Sequence, residues 1–448
     1  MRLIGELGVA AVALFALAQL VRPAIPVKPA AAEVQAPSAV KQILNRSCYS
    51  CHSDERRLAW FDWIEPAYLI ARHDILNARS RLDFSTIGSA PTAVQRAKLF
   101  EAVNMIQLGA MPLPQFVALH PDAKVSPEEL AELKAYLAPW ATTPGLPGVK
   151  PKDDSAASPI SLSAVHPEPN GLAFDPSFEG WKLVSTTDRG DNNTFRFILG
   201  NDIAVMAAQS GNISPWPDGA RFAKVAWLQE LGEDGLIHPG KFVQVELMVK
   251  DARQYKATDG WGWGRWRGLD LKPYSEDDPH FARECTGCHM PVRGNDYVYT
   301  LPITSARASH EEIVNSTAAS LPSSLPWQPL GWRPITMYVD RKTHTTATLY
   351  GNDTAMQVLE RGGAPGLDYP SGSVLALVTW TQREDPHWFG GRIPDAPLMV
   401  EFVQMSSGEG ASSYRVFEGR ALVEVRPDAK YAEQKTDFIL NLKPASLP

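Results

Sequence analysis

The chain has 448 residues, 44% of them hydrophobic, with 43 Lys and Arg against 50 Asp and Glu and a formal net charge of −7. That apolar content excludes a wholly disordered chain and, at ~150 residues per domain, leaves room for about three domains. The acidic balance, with no long basic run, excludes a nucleic-acid partner. Its four cysteines fall in two pairs, Cys48/Cys51 and Cys285/Cys288, each pair followed directly by a histidine.

Arg2 opens an apolar stretch from Leu3 to Val21, closed by Arg22 and Pro23. Its charge-free run, Leu7 to Val21, has 15 residues, short of the ~20 of a comfortable span but longer than most signal peptides need. Residues 1–23 are therefore expected to direct export to the periplasm, either kept as an inner-membrane anchor or cleaved. The small-residue cluster Ala30, Ala31 and Ala32 lies well beyond the apolar run, which favours the anchor. Residues 24–40, rich in Pro and Ala, read as a tether. An exported chain uses spare cysteines in disulfides, but here all four belong to Cys-x-x-Cys-His units, so no disulfide is expected.

Each unit, Cys48-Tyr49-Ser50-Cys51-His52 and Cys285-Thr286-Gly287-Cys288-His289, is the attachment signature of a c-type haem. Two thiols three positions apart on a helical turn can add to the two porphyrin vinyl groups, and the adjacent histidine then lies under the iron as proximal ligand. A redox disulfide or half of a zinc site is the competing reading of Cys-x-x-Cys. Two copies, each with His next and with no further cysteine, point instead to two covalently attached haems, with His52 and His289 on the irons.

Residues 41–140 read as a small all-α domain. Apolar positions recur at three- and four-residue spacing around Trp60, Trp63 and Ile64, from Tyr68 to Leu76 and from Arg96 to Leu108. Ser126-Pro127-Glu128-Glu129 announces a last helix, with Ser as N-cap, Pro at the first helical position and Glu129 as capping-box partner. Before it, Gly109-Ala110-Met111-Pro112-Leu113-Pro114 is a stiff turn that presents a thioether, so Met111 is the candidate second iron ligand; Met105, His73 and His120 are its rivals. This segment resembles small cytochrome c domains of the bacterial haem-binding type, through the motif at Cys48 to His52 and the Met111-Pro112 loop.

Residues 141–172 read as a linker, after which the character changes to β. Phe195–Leu199, Arg221–Trp227 and Phe242–Val249 are short β-branched and aromatic runs bounded by turn residues. Gly200-Asn201-Asp202, Trp216-Pro217-Asp218-Gly219 with Lys224, the Trp/Gly run 260–268, Cys285 to His289, and Asn295-Asp296-Tyr297-Val298 together resemble cytochrome P460 and its relative cytochrome c prime beta. The resemblance implies a mostly antiparallel β domain with a five-coordinate haem, a covalent bond from a lysine to the porphyrin edge, and oxidation of hydroxylamine or binding of nitric oxide. It also implies a proton-accepting carboxylate shortly before the proximal motif. That neighbourhood reads Glu276-Asp277-Asp278-Pro279-His280, with His280 or Asp278 as candidate base. The Trp/Gly run itself reads as core and turn, with one indole available to line a haem.

The rest of the chain repeats this pattern. Gly180-Trp181 stands 20 residues before Gly200-Asn201-Asp202, and Gly331-Trp332 stands 20 before Gly351-Asn352-Asp353. Trp216-Pro217-x-Gly219 up to Trp227 pairs with Tyr369-Pro370-x-Gly372 up to Trp380, and Glu246 pairs with Glu401. In the second copy no Cys-x-x-Cys-His follows, Lys224 faces Leu377 and Arg196 faces Ala347. By period-two alternation Phe222, Lys224 and Ala226 share one strand face, and their partners Leu375, Leu377 and Thr379 suggest that it points inward. A buried lysine has a lowered pKa and a nucleophilic amine, so Lys224 is the candidate crosslinking residue, and Arg196 is a candidate donor to a nitrogen-oxygen ligand.

The expected architecture is α+β and multidomain: an all-α cytochrome c-like domain (41–140), a haem-bearing β domain (173–305) and a haem-free copy (328–448). The expected function is a dihaem oxidoreductase acting on hydroxylamine or nitric oxide, passing electrons through the His52/Met111 haem to a periplasmic acceptor. The alternative is a non-enzymatic cytochrome that binds nitric oxide or carbon monoxide or carries electrons. A dihaem peroxidase fits less well, since such proteins hold both haems in helical domains.

Overall fold

The computed structural model describes residues 2–55, 57–142, 161–274, 281–303, 318–360, 369–406 and 412–447 and divides into two compact units, Met1–Pro139 and Trp140–Pro448. The first unit is helical. It contains α1 (Arg2–Ala18), α2 (Ser38–Ser47), the single turn α3 (Tyr49–His52), α4 (Ala67–Arg81), α5 (Thr92–Gln107), α6 (Pro114–Leu119) and α7 (Pro127–Thr142). The run around Trp60 forms a 3-10 turn, Trp60–Trp63, rather than a longer helix. Among the described residues no helix is long and apolar enough to cross a membrane; α1 has 17 residues.

The capping box forms as the sequence predicts. Ser126 Oγ accepts from the Glu129 backbone N–H at 3.2 Å, and Glu129 Oε2 accepts from the Ser126 N–H at 2.9 Å. Both Glu129 oxygens also accept from Arg46 at 2.6 Å, so the same carboxylate ties the start of α7 to the end of α2, next to Cys48. Ser126→Ala should cost about 1 kcal/mol of the helical unit's stability, the usual worth of an N-cap, measured by denaturant unfolding.

The second unit is built on antiparallel strands. The first half has β1 (Lys182–Arg189), β2 (Thr194–Gly200), α8 (Asp202–Ser210), β3 (Arg221–Leu231), β4 (Ile237–Lys250), β5 (Trp261–Arg267), β6 (Lys272–Pro273) and α9 (Ala282–His289). The second has β7 (Arg333–Asp340), β8 (Thr345–Gly351), α10 (Asp353–Glu360), β9 (Val374–Asp385), β10 (Trp388–Met405), β11 (Ser412–Glu418), β12 (Val423–Val425) and α11 (Ala429–Asn441). The repeated motifs do the same work in both halves. Asn201 caps α8 at the Ala204 N–H and donates to the carbonyl of Gly219; Asn352 caps α10 at the Ala355 N–H and donates to the carbonyl of Gly372. Both glycines sit at φ +89°, a left-handed conformation that favours glycine.

The two copies are not separate bodies. Strands run in the order β1-β2-β3-β4-β7-β8-β9-β10, and β1 also pairs with β10, so the path closes on itself as a barrel. The copies meet at Ile237↔Val339 on one side and Asp188↔Arg392 on the other. Phe195, Phe197, Val225, Trp227 and Val245 of the first half pack in one core with Val378, Trp380, Val400 and Phe402 of the second.

Closure corrects the expected direction of the Lys224 face. The barrel interior receives Ala223, Val225 and Trp227, whereas Phe222 belongs to a separate cluster on the other face, with Ile198, Ala204, Trp216, Trp261 and Trp263. Lys224 alternates with the interior residues and so lies on this outer face. The residues at the corresponding face of the second copy, Ala347, Leu349, Leu375 and Leu377, also form an outer-face cluster, packed with Ile439 and Leu442. The apolar pattern showed a covered face in both copies but not which side of the sheet it covered.

Candidate functional site

In the helical unit, Cys48 to His52 form one turn, closed by the His52 N–H donating to the Cys48 carbonyl at 2.9 Å. His52 Nδ1 donates to the Leu82 carbonyl at 2.9 Å, and burial pushes the imidazole pKa down. The neutral ring therefore keeps its Nε2 lone pair for a metal. Phe84 stacks on Tyr49 with ring centres 5.4 Å apart and meets His52 edge-to-face, while Cys51 packs against the cluster of Ile25, Tyr68 and Ile75.

The Met111 loop is pinned by two N–H groups, those of Ala110 and Met111, both donating to the Met105 carbonyl. Two rivals are engaged elsewhere. His120 has both ring nitrogens occupied, Nε2 at 3.1 Å from Asp62 and Nδ1 donating to the Phe116 carbonyl, and His73 is exposed and bonded to Asn77. Met111→Ala should remove the weak near-infrared sulfur-to-iron band of the oxidised protein and lower that haem's potential, since a thioether ligand raises it. Persistence of the band in the variant would assign the ligand to another residue.

In the β unit, α9 carries Cys285, Cys288 and His289, and Cys285 packs against the outer-face cluster. His289 Nδ1 donates to the Tyr297 carbonyl at 2.7 Å, the same device as at His52. Burial above all, with Lys224 adding to it, lowers the His289 pKa to about 4. The carbonyl is aimed by two consecutive left-handed residues, Asp296 (φ 47°) and Tyr297 (φ 66°), a strained turn that must be held from outside. Asp296 supplies the hold by accepting from the Trp216 N–H, from Lys250 Nζ at 2.8 Å and from Trp261 Nε1.

Registry across the sheet brings together charges that are far apart in sequence. Lys224 stands opposite Glu246, and Glu246 opposite Arg265; Arg196 stands one row along, opposite Ala226. Glu246 is ion-paired with Lys224 and, at 3.2 Å, with Arg265. Burial, opposed by Glu246 and reinforced by Arg196 and Arg265, lowers the Lys224 pKa to about 8. Arg196 is pushed down to about 9, first by burial and then by Arg189. Burial alone would raise the Glu246 pKa, but Arg265 and Lys224 overcome it and hold the carboxyl well below the usual range. Lys224 keeps 26% of its side-chain surface exposed.

The residues fit a covalently held haem. Two thiols lie one turn apart beside a histidine whose Nε2 is left for iron. Close by, Trp263 meets the His289 ring edge-to-face at 4.6 Å, and its Nε1, like Arg196 Nε, is a buried polar atom without a partner among the described residues. The second copy has no Cys-x-x-Cys-His unit. Ala347, Leu377 and Val416 replace Arg196, Lys224 and Arg265 in register, and its remaining carboxylate, Glu401, is bonded to Tyr414 Oη at 2.6 Å and paired with Lys435 of α11.

The sequence-predicted Lys224 and Arg196 are thus brought to one face, whereas His280 and Asp278 lie outside the described residues. The carboxylate that the structure places with them is Glu246, whose signal was its pairing with Glu401. Arg265 and Trp263 were hidden in the Trp/Gly run, which is strand β5. Trp261, Trp263 and Arg265 face the site, and the glycines alternate with them because a Cβ on Gly262 would collide with the Tyr255 ring and one on Gly264 with Trp266.

Comparison with known families matches a haem-binding domain over residues 9–139 and cytochrome P460 twice, over 176–300 and 330–432. No curated protein matches the chain. The second P460 match falls on the copy without an attachment motif, so the likeness of the halves is one of fold and not only of a few turns. The P460 matches together cover just over half the chain, which therefore belongs to the cytochrome P460 family and is a haem cytochrome with a second haem-binding domain at its N-terminus.

Proposed function

We propose that the chain is an exported dihaem c-type cytochrome that oxidises hydroxylamine or nitric oxide at the β-barrel site and passes the electrons through the helical domain to a periplasmic acceptor. The observation that carries this reading is the charged row Lys224, Glu246 and Arg265, with Arg196 beside it, on the face against which the Cys285 to His289 helix packs. Its counterpart in the second copy is apolar at three of four positions. A haem held there by the two thiols and His289 Nε2 would supply an iron with one open position and a sink for electrons.

The protein's groups have separable roles. Arg196 is the donor suited to hold the oxygen of a nitrogen-oxygen ligand. Glu246 is the acceptor for the protons that leave with the electrons when hydroxylamine is oxidised. As long as both cations flank it, Glu246 is a weak base. A bond from the neutral Lys224 amine to a ring-edge carbon, replacing that carbon's hydrogen with two protons released and two electrons passed to a peroxide-class oxidant that is reduced to water, would remove one of those cations and move Glu246 toward a useful pKa. In the helical domain Cys48 and Cys51 would hold a second haem by its vinyl groups while His52 and Met111 take both protein-ligand positions of its iron, suiting it to electron transfer rather than to chemistry. The N-terminal segment would serve for export and for tethering to the inner membrane, which N-terminal sequencing of the mature protein reads out.

A pyridine haemochrome assay should give two haems per chain, and the double variant Cys285→Ser/Cys288→Ser should retain one and lose hydroxylamine-dependent reduction of an added acceptor dye. A count of one or three in the wild type would reject the scheme.

A further inference from the structure

The second copy holds no attachment motif, yet it touches the proximal side of the first copy's site. Tyr299 lies beyond the turn that aims the Tyr297 carbonyl. Its ring meets His289 edge-on at 5.0 Å, and its hydroxyl donates to the Cys288 carbonyl at 2.7 Å. What holds Tyr299 comes from the other half of the barrel. His387 Nδ1 donates to the Tyr299 carbonyl at 2.7 Å, and the His387 N–H is fixed by Asp385 at 2.9 Å. Trp388 sets its indole against the Tyr299 ring at 5.8 Å.

Trp388 is itself clamped by the first copy. Its Nε1 donates to Asp191 at 3.2 Å, and the Arg189 guanidinium lies over its ring at 4.2 Å while ion-paired with Asp191. Arg189 stands opposite Gly391 where β1 and β10 close the barrel. An unbroken set of contacts thus runs from the barrel seam through Trp388 and Tyr299 to His289.

We propose that the haem-free copy acts as a proximal brace: its Asp385 to Trp388 turn holds Tyr299 against His289 and the Cys288 carbonyl, and so fixes the orientation of the iron-ligating imidazole. His387 and Trp388 are positioning residues, which touch neither iron nor substrate. The brace explains why a copy that has lost its own site still shares a closed sheet with the one that keeps it. Outer-shell partners of a metal-bound histidine set its orientation and basicity, so loosening Tyr299 should weaken the bond from His289 to iron.

The proposal rests on the reading that His289 ligates a haem iron, and the test separates the two. Full-length protein purified with its haems is reduced, and the iron–histidine stretching band is recorded by resonance Raman spectroscopy together with the midpoint potential. Only a five-coordinate ferrous haem gives that band, so the helical domain's haem does not interfere. His387→Ala should shift the band to lower frequency and move the potential of the second haem alone, and His387→Asn, whose amide can reach the Tyr299 carbonyl, should restore both. An unchanged band in His387→Ala, or an equal shift in His387→Asn, overturns the brace. Should His387→Ala be recovered unfolded, Trp388→Phe, which keeps a ring on Tyr299 but deletes the bond to Asp191, is judged by the same shift. Absence of haem from the wild-type Cys285 to His289 peptide would instead overturn the underlying reading.

Discussion

Lys224→Leu, which copies the second half of the barrel, should abolish a covalent bond between the β3 strand and the porphyrin while leaving the haem attached through Cys285 and Cys288. Proteolysis of the wild type should release a haem peptide joining the Cys285 to His289 segment to the strand around Lys224; the variant should give cysteine-linked peptides only, and its second haem should lose the red-shifted absorption that such a bond confers. Hydroxylamine oxidation should fall to background although the haem count stays at two, so the loss is chemical and not structural. Formation of the bond needs the neutral amine, and its rate should rise with a midpoint near the Lys224 pKa of about 8. The same depression has a stability consequence before the bond forms. The unfolded lysine titrates near 10.5, so between these values the unfolded chain binds more protons, and stability of the unlinked protein should rise with pH across that window. The Leu variant should lack that rise. Wild-type haem peptides carrying only the two cysteine segments would exclude the bond and make a ligand-binding cytochrome the better account.

Glu246→Gln should have the other large effect. On the proposed role of Glu246 as proton acceptor, its removal should lower kcat by ~10²–10⁴-fold, the usual contribution of a positioned general base. It also leaves Lys224 and Arg265 without their shared carboxylate, at a cost of about 3 kcal/mol for breaking a buried pair from one side. Activity assays and denaturant unfolding separate the two effects. Glu401→Gln is the matched control, because Glu401 is buried with Tyr414 and Lys435 in the second copy. It should destabilise the barrel and leave kcat of the folded protein unchanged. Equal losses of kcat in both variants would assign Glu246 a structural role only.

Much of this site was legible in the sequence because its parts are encoded locally. Each Cys-x-x-Cys-His is a single helical turn, the capping box at Ser126 is a four-residue device, and the Gly-Asn-Asp turns repeat because Asn201 and Asn352 make the same two bonds. The repeat also carried long-range information: by losing Lys224 and Arg196 together, the second copy marked them as members of one site. What the sequence hid depends on registry and closure. Alternation along β3 shows that Lys224 and Val225 face opposite ways but not which face is the barrel interior, and that is settled by β1 pairing with β10. Glu246 had the same repeat signal as Lys224 with the opposite sense, since its partner Glu401 is kept, so only the cross-strand pairing sets it beside Lys224 and Arg265. Nothing local in Tyr299 or His387 relates them, 88 residues apart, and their bond exists only because the two halves fold as one sheet.

The most direct test of the account is to mix the purified, fully oxidised protein with hydroxylamine under anaerobic conditions and follow the optical spectra of both haems in time. The account predicts that the band of the barrel haem changes first, and that the reduced bands of the His/Met haem then grow in as electrons reach it, at a rate that collapses in Lys224→Leu. Reduction of neither haem, or reduction of the His/Met haem with the barrel haem unaltered and the Lys224→Leu variant as fast as wild type, would contradict it.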